Sequence, residues 1–322
     1  MQQYSPPLVV PKLPRAGLGN MLYVWSRAVL FADLNNYSIV TPNWTPLRIG
    51  PYLRREKYKR FYRGFFSNKG YLPRHMYYLA SLKNVHNIFN PNVLAAPPKD
   101  SSIVSDLIYI FDEVPLLTTF FSEMREYQPH IKKRLLSMIN PPLLEEIENM
   151  PSPEIAMHVR LSDFRAPSPG EDVDNLFNLR TPIDWYVQSL IQVREIAGYD
   201  IPVTVFSDGY DHELRELFQL PNVVRSPDAP ALIDKILMSR SKFLIASAKS
   251  SFSAWASYLG QCPTVWHPTH SFTHCFSDSA TKSVFEGSFD PYKPKEQLPE
   301  LLIDYISAIF ASYSSNYSTT RR

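Results

Sequence analysis

The segment "MHVRLSDF", residues 157–164, sets a histidine and an arginine two positions apart, with an aspartate three beyond the arginine. In an extended strand His158 and Arg160 point to one face, because side chains alternate with a period of two. A guanidinium is a fixed fork of N–H donors that suits a diphosphate, and Asp163 is placed to orient it. The same residues also fit a structural ion pair beside a hydrogen-bonded core histidine. Three further segments offer polar chemistry. "VFSD" closes on Ser207 and Asp208. "IASAKSSFSAW" supplies Ser250, Ser251 and Phe252 where a strand gives way to a helix. Hydroxyls and free N–H groups at a helix start suit phosphate, and they equally suit an ordinary N-cap. Asp234, in "ALIDKILMS", falls early in a helix, where a carboxylate also complements the helix dipole.

Near the start, "PRAGLGNMLYVWSRAVLFADLNN" (14–36) holds Gly17 and Gly19, two of only ten glycines in the chain. A strand–Gly-x-Gly–helix junction lets backbone N–H groups approach an anion. The alternative is a tight turn that needs a positive φ. The segment lacks both a full GxGxxG and a P-loop lysine. Asn20 follows, an amide able to cap the helix or donate to a substrate oxygen. The stretch "YLRREKYKRFYRGFF" (52–66) interleaves six basic residues with six aromatics, including Arg54, Arg55, Lys57, Lys59 and Arg60. It suits a glycolipid acceptor, a peripheral membrane contact, nucleic acid or a solvated face, and the near-neutral overall charge disfavours nucleic acid. "HPTHSFTHC" (267–275) gathers His267, His270, His274 and Cys275, but its spacing matches no zinc pattern, and no metal is expected.

Elements that must position these residues follow from periodicity. Leu18, Leu22, Trp25, Val29 and Ala32 recur at helical spacing. "YSIVTPNW" (37–44) reads as a strand, and 101–150 as mostly helical. The second half alternates regularly. "EIAMHVRL", "IPVTVFSD", "NVVRS", "KFLIAS" and "PTVWH" read as strands, separated by helical segments. One of those, "TPIDWYVQSLIQVREIAG" (181–198), has Thr181 as expected cap, Pro182 at its first position and Gly198 as its stop. Such alternation is the pattern of a parallel sheet wrapped by helices, which binds ligands at the carboxyl ends of its strands. The proline-rich "MINPPLLEEIENMPSPE" marks a boundary near 150, giving lobes 1–150 and 151–322. A net charge of +2 argues against a general nucleic-acid-binding surface. Two cysteines, no basic leader with a long apolar core and no spanning apolar run point to a cytoplasmic setting.

The order of these segments resembles the fucosyltransferase superfamily, which contains bacterial and animal α1,2-fucosyltransferases, chitin-oligosaccharide α1,6-fucosyltransferases and protein O-fucosyltransferases. The α1,2 family, glycosyltransferase family 11-like, is the most similar. "GLGNM" resembles its GLGNQ loop, "HVRLSDF" its HxRRxDY strand and "FSDG" its FSDD segment. "DKILMSRSKFLIASAKSSFSAWASYLG" resembles the family's last motif over nearly its whole length. The resemblance covers 15–35 and about 154–268. Leu161, Met21, Gly209 and Ala254 depart from the family residues at their positions.

The resemblance implies an α/β fold of GT-B type, with two Rossmann-like lobes and a donor cleft between them. It implies GDP-fucose as donor substrate, an oligosaccharide or glycolipid acceptor read by 45–150, inversion at the sugar carbon, and neither a metal nor a cofactor. Arg160 matches the arginine that binds the donor diphosphate. His158 and Asp234 match nucleoside contacts, and Ser250, Ser251 and Phe252 match the phosphate-side loop. Asp163 and Asp208 fall in donor-side motifs. Gly17, Gly19 and Asn20 match the loop that faces the diphosphate from the other lobe, with Asn20 joining Arg160 as a catalytic group. A general base stays open between Asp163 and glutamates of 45–150.

Overall fold

The chain begins with β1 (Leu8–Pro11), whose four residues are all buried. The computed structural model describes residues 7–45, 62, 64–82, 85–94, 107–116, 119–168, 171, 178–270, 274–276 and 283–317, the side chains of 312–317 excepted. These residues divide into two compact units, the first closing at Glu146 and the second opening at Ile147.

In the first unit β1 is followed by α1 (Leu18–Asn35), β2 (Ser38–Ile39), α2 (His75–Ser81), β3 (His86–Phe89), β4 (Leu107–Phe111) and α3 (Gln128–Met138). The four strands form a parallel sheet in the order β2-β1-β4-β3. β4 corrects the expected helical character of 101–150. Its "LIYIF" is a fully buried apolar run. Such a run has no period, so only length separates it from a buried helix. α1 is also more buried than its apolar stripe suggests, since every residue from Met21 to Ala32 is enclosed. Polar groups inside are paired: Trp25 Nε1 donates to Tyr71 Oη at 2.8 Å, and Arg27 Nε to Glu123 at 2.8 Å. The helix stops at Asn36, whose left-handed backbone (φ 54°) ends the run as a C-terminal cap does.

α4 (Pro141–Asn149) leads into the second unit. There the chain runs through β5 (Ile155–Val159), α5 (Ile183–Ala197), β6 (Val203–Ser207), α6 (Arg215–Phe218), β7 (Val223–Arg225) and α7 (Ala231–Met238). It continues through β8 (Phe243–Ala246), α8 (Ser251–Gly260), β9 (Thr264–Trp266), β10 (Glu286–Ser288) and α9 (Glu300–Tyr317). All six strands are parallel, in the order β10-β9-β8-β5-β6-β7. The chain moves outward from β5 through β6 to β7, then returns to the other side of β5 as β8. The sheet therefore reverses direction between β5 and β8, and the loops at their carboxyl ends diverge to leave a crevice. Trp185, Tyr186, Leu190 and Val193 of α5 pack on Ile155, Met157, Val203 and Val205 of the sheet. Each fully buried side chain of this kind contributes roughly 1.5–3 kcal/mol.

α5 ends at Gly198 (φ 81°), the left-handed stop expected there. Its start differs from expectation. Pro182 is the cap residue, and the Thr181 hydroxyl instead accepts from the Ala248 N–H at 3.1 Å. Thr181 thus ties the loop after β8 to the start of α5. Among the described residues no helix is long and apolar enough to cross a membrane.

Candidate functional site

β5 delivers two of the expected residues to the crevice. His158 lies on the strand and is buried; Arg160 is the first residue past it and is partly exposed. Arg160 Nη2 meets Asp163 Oδ1 at 2.5 Å, and Nη1 pairs with Asp208 Oδ2. The Phe164 ring lies 5.7 Å from the guanidinium carbon. Asp208, directly after β6, is the anchor of this loop. Its Oδ1 accepts from the Leu161 N–H at 2.8 Å, and its Oδ2 from the Ser162 hydroxyl at 2.6 Å. Burial pushes the Asp208 carboxyl up, but Arg160, the Ser162 hydroxyl and the Leu161 N–H outweigh it and hold it below the usual carboxylate value. Asp208 is thus occupied by the protein's own donors. It shapes the site through Arg160 and the 160–162 backbone.

The loop after β8 forms the facing wall. Lys249 adopts a left-handed backbone (φ 53°), and its N–H donates to His270 Nδ1 at 2.9 Å. His270 in turn stacks on Trp266, with ring centroids 3.8 Å apart and planes within 5°. The turn so held presents Ser250 as the cap of α8, its hydroxyl accepting from the Ser253 N–H at 3.4 Å. Ser251 opens the helix and Phe252 follows. The Phe252 ring packs tilted against His158, centroids 5.1 Å and planes 34° apart, while His158 Nδ1 lies 2.6 Å from Ser253 Oγ. The same Ser253 oxygen accepts from the Ser247 N–H at 3.1 Å. Burial holds the His158 imidazole down at about 3, with Arg160 and Lys235 adding to it and Asp208 opposing. The ring is neutral at physiological pH, a polar contact and not a charge.

α7 brings two adjacent residues of opposite kind. Asp234 accepts from the Ser226 hydroxyl at 3.3 Å, and burial pushes its carboxyl up to about 7, with Asp228 adding. Lys235 is completely buried. Its Nζ donates to the Phe252 carbonyl at 3.2 Å and sits 3.7 Å from the centre of the Phe252 ring. Burial, then Arg160, hold this amine well below the ordinary lysine value. Sequence reasoning missed Lys235 and Ser253. The signal for Lys235 was present: Leu232 and Met238, three positions to either side, are buried, so a lysine stands on the apolar stripe. Ser253 had no such signal, because its role depends on a histidine 95 residues away.

Leu161 and Gly209, two departures from the family pattern, prove to be neighbours. Leu161 turns into the core, and a Cβ built on Gly209 would overlap Leu161 Cδ1 and lie 3.1 Å from Leu161 Cβ. Any side chain at 209 requires Leu161 to shift. Gly209→Ala is therefore expected to destabilise the protein by about 1–3 kcal/mol through overpacking. Leu161→Ala in the same chain removes the overlap, so the double variant should melt higher than the sum of the single effects allows. Strict additivity in thermal unfolding would show that the two positions do not share this space. Two further arginines brace the surrounding loops. Arg180 Nε donates to the carbonyls of Leu161 and Phe164 at 3.0 and 2.7 Å. Arg225 Nη2 donates to those of Ser207 and Gly209 at 3.0 and 2.6 Å.

Gly17, Gly19 and Asn20 belong to the first unit. Gly17 is the cap of α1 with φ −58°, so a positive φ does not explain it. Among the described residues a Cβ on Gly17 would meet nothing within 4 Å. Neither its backbone conformation nor packing among the described residues calls for glycine here. The Leu18 N–H is taken by Tyr62 Oη at 3.0 Å. Residues 52–61 and 63 of the basic-aromatic stretch, with Arg54, Arg55, Lys57, Lys59 and Arg60, lie outside the described residues, as does "DVD" (172–174). Of the histidine-rich segment, His267 Nδ1 lies 2.8 Å from Thr269 Oγ1, and His270 is held as above. Among the described residues no group of three or more His, Cys, Asp or Glu is arranged to hold a metal ion.

No protein-family model matches the sequence, and no curated protein matches it. Several solved structures are similar in fold. The fucosyltransferase NodZ from Bradyrhizobium is 13% identical with a TM-score of 0.47, over 82% of this chain and 95% of that one. NodZ α1,6-fucosyltransferase co-crystallised with GDP gives 13% and 0.48, over 83% and 97%. POFUT1 in its apo form gives 12% and 0.45, over 83% and 99%. These TM-scores lie below 0.5, so the likenesses carry no statement about chemistry, which rests on the chain's own residues.

Proposed function

We propose that this chain is an inverting, metal-independent glycosyltransferase that moves L-fucose from GDP-fucose to a hydroxyl of an oligosaccharide or glycolipid acceptor, with α1,2 linkage. The observation that carries the reading is the crevice between β5 and β8. Arg160 stands at one strand end and the capped start of α8 at the other, with the His158–Phe252 pair between them and a buried carboxyl at Asp234. In this reading residues 151–322 hold the donor. As the glycosidic bond breaks, negative charge grows on the β-phosphate, and Arg160 with the α8 N-terminus stabilises it. Asp234 accepts from the two adjacent N–H donors of the guanine edge. The basic stretch at Arg54–Arg60 serves the acceptor, as a peripheral contact with a lipid-linked or anionic substrate.

Asp234 makes the reading testable by pH. A carboxyl must be ionised to accept both guanine donors, and burial pushes that of Asp234 up to about 7. GDP affinity should fall about tenfold for each pH unit below that value and level off above it. Asp234→Asn should bind GDP more than tenfold more weakly at pH 8 and lose this dependence. Its raised pKa also means that the empty wild-type protein loses stability as pH climbs from the unfolded carboxyl value to about 7. The Asn variant should lack that slope. Calorimetric titration with GDP, ADP and UDP decides the matter, followed by transfer assays in EDTA and NMR of the anomeric product. Equal affinity for the three nucleotides would defeat the reading. GDP binding without transfer to any glycan would favour a second one, a non-catalytic nucleotide-sugar-binding protein, for which Leu161 in the core is the supporting observation.

A further inference from the structure

α2 covers one face of the sheet in the first unit. Its Ala80 is buried in a small apolar cluster with Leu8, Val10, Ile108 and Ile110, and Tyr77 packs against that cluster. α1 takes the opposite face, where Phe31 lies against Tyr109 and Phe111, since successive strand side chains alternate between faces. A surface helix ordinarily turns polar residues outward. α2 does the reverse. Tyr78, Leu79 and Leu82, the last just past its end, are 65%, 53% and 84% exposed. Their spacing of three and four places them on one side of the helix. Tyr78 adjoins Tyr77, ring centroids 5.5 Å apart. Lys12 Nζ lies 5.4 Å from the centre of the Tyr77 ring and 5.7 Å from that of Phe89, itself 56% exposed. The apolar patch thus runs from α2 to the end of the edge strand β3, with an ammonium within it.

The charge along this part of the chain has one sign. From 57 to 99 the sequence holds eight lysines and arginines and no aspartate or glutamate. The whole chain carries only +2, so the remainder is net acidic. Arg74 and His75 at the start of α2 and His86 at the start of β3 are all exposed. Exposed leucines are of no use to a nucleic acid, and a border free of acids is not that of an ordinary surface. Aliphatic and aromatic side chains edged by cations suit the headgroup region of an anionic bilayer.

We propose that the outer face of α2, together with Phe89, docks this protein on an anionic lipid bilayer. Tyr78, Leu79, Leu82 and Phe89 enter the boundary between headgroups and acyl chains, and Lys12 and Arg74 meet lipid phosphates. The net acidic remainder of the chain gains nothing at such a surface, so this stretch decides which side docks. The proposal does not depend on the donor reading. Where that reading holds, it assigns the acceptor's lipid to the bilayer.

The experiment is vesicle flotation with the full chain, on phosphatidylcholine alone and on phosphatidylcholine with one-third phosphatidylserine. Wild type should bind the second more than tenfold tighter, since each basic residue at an anionic surface adds about fivefold. Added salt should weaken that preference. The double variant Leu79→Ser/Leu82→Ser should bind roughly tenfold more weakly or worse, having lost two inserted leucines. Leu34→Ser removes an exposed leucine of α1, on the other side of the sheet, and should change nothing. Thermal melting confirms that each variant folds. A polarity-sensitive dye on Leu82→Cys should shift to the blue on anionic vesicles, the native Cys262 and Cys275 being buried. GDP affinity of the double variant in solution should equal that of wild type, so docking and the donor reading fail separately. Absence of vesicle binding, equal binding to both vesicle types, or equal binding by wild type and the double variant overturns the proposal. So does preference for RNA over vesicles. So does a dimer in solution that the double variant dissolves, which would make this face a contact between copies.

Discussion

Arg160→Ala is expected to lose GDP binding by more than tenfold and to lose transfer altogether. A charge-assisted hydrogen bond of this kind is worth roughly 1.5–3 kcal/mol in binding. Its contribution grows as charge develops on the leaving phosphate, where removing a single donor typically costs about a hundredfold to a thousandfold in rate. The variant should also melt at lower temperature, because Asp208 keeps its burial but loses the strongest of the groups that hold its pKa down. The sign follows from that direction. A carboxyl depressed in the folded state contributes stability above its unfolded pKa and loses it as pH falls through the folded value. The melting difference between wild type and Arg160→Ala should therefore be large at pH 7 and shrink in acid. Arg160→Lys should remain impaired, since one ammonium cannot serve Asp163, Asp208 and a phosphate as a planar fork does. Near-normal GDP affinity in a folded Arg160→Ala protein would remove the centre of the functional proposal.

Lys235→Met should raise the melting temperature by several degrees at pH 7. Among the described residues Lys235 has no carboxylate within ion-pair distance; its partners are one carbonyl and one ring face of Phe252. Burial costs this amine either its charge or its hydration, and removing an incompletely satisfied buried polar group commonly recovers about 1–3 kcal/mol. The folded amine titrates well below its ordinary value of 10.5, so the unfolded chain holds the extra proton between those two limits. Wild-type stability accordingly rises with pH across that window, and the advantage of methionine narrows as pH approaches 10.5. GDP binding should weaken by a few-fold, because Phe252 loses the contact that fixes it beside His158. A variant that melts lower than wild type across the range would mean that the amine is well satisfied where it is.

Much of the second unit was legible in the sequence, for local reasons. "KFLIAS" and "PTVWH" are short apolar runs closed by turn residues, and Gly198 stops α5 by its own backbone freedom. β4 was not legible, because five consecutive apolar residues carry no period. β10 was missed because "EGS" has no strand character of its own and is ordered by pairing with β9. Thr181 looked like a cap because the Thr-Pro pair has that signature, but its hydroxyl is claimed by a backbone amide 67 residues away. In the site, residue types were readable and distant partners were not. The Arg160–Asp163 pair was readable from its spacing, whereas Asp208 read as a ligand of a substrate and lies against Arg160 and the 161–162 backbone. Gly17 read either as a glycine that lets backbone N–H groups approach an anion or as a turn glycine, and its φ of −58° removes the second reason. The outcomes at β10, Thr181 and Asp208 depend on which strand lies beside which, information that a segment read alone does not contain.

The fit of Gly209 against Leu161 also limits the paths by which this site can change. An arginine introduced alone at 161 would enter a position now walled by apolar side chains. An acidic residue introduced alone at 209 would strike the leucine. Each single step leads downhill in fitness even if the doubly changed site were functional. A library that varies one position at a time would record both changes as destabilising and miss the combination. Randomising 161 and 209 together is the way to learn whether a second cation beside Arg160 is compatible with this fold.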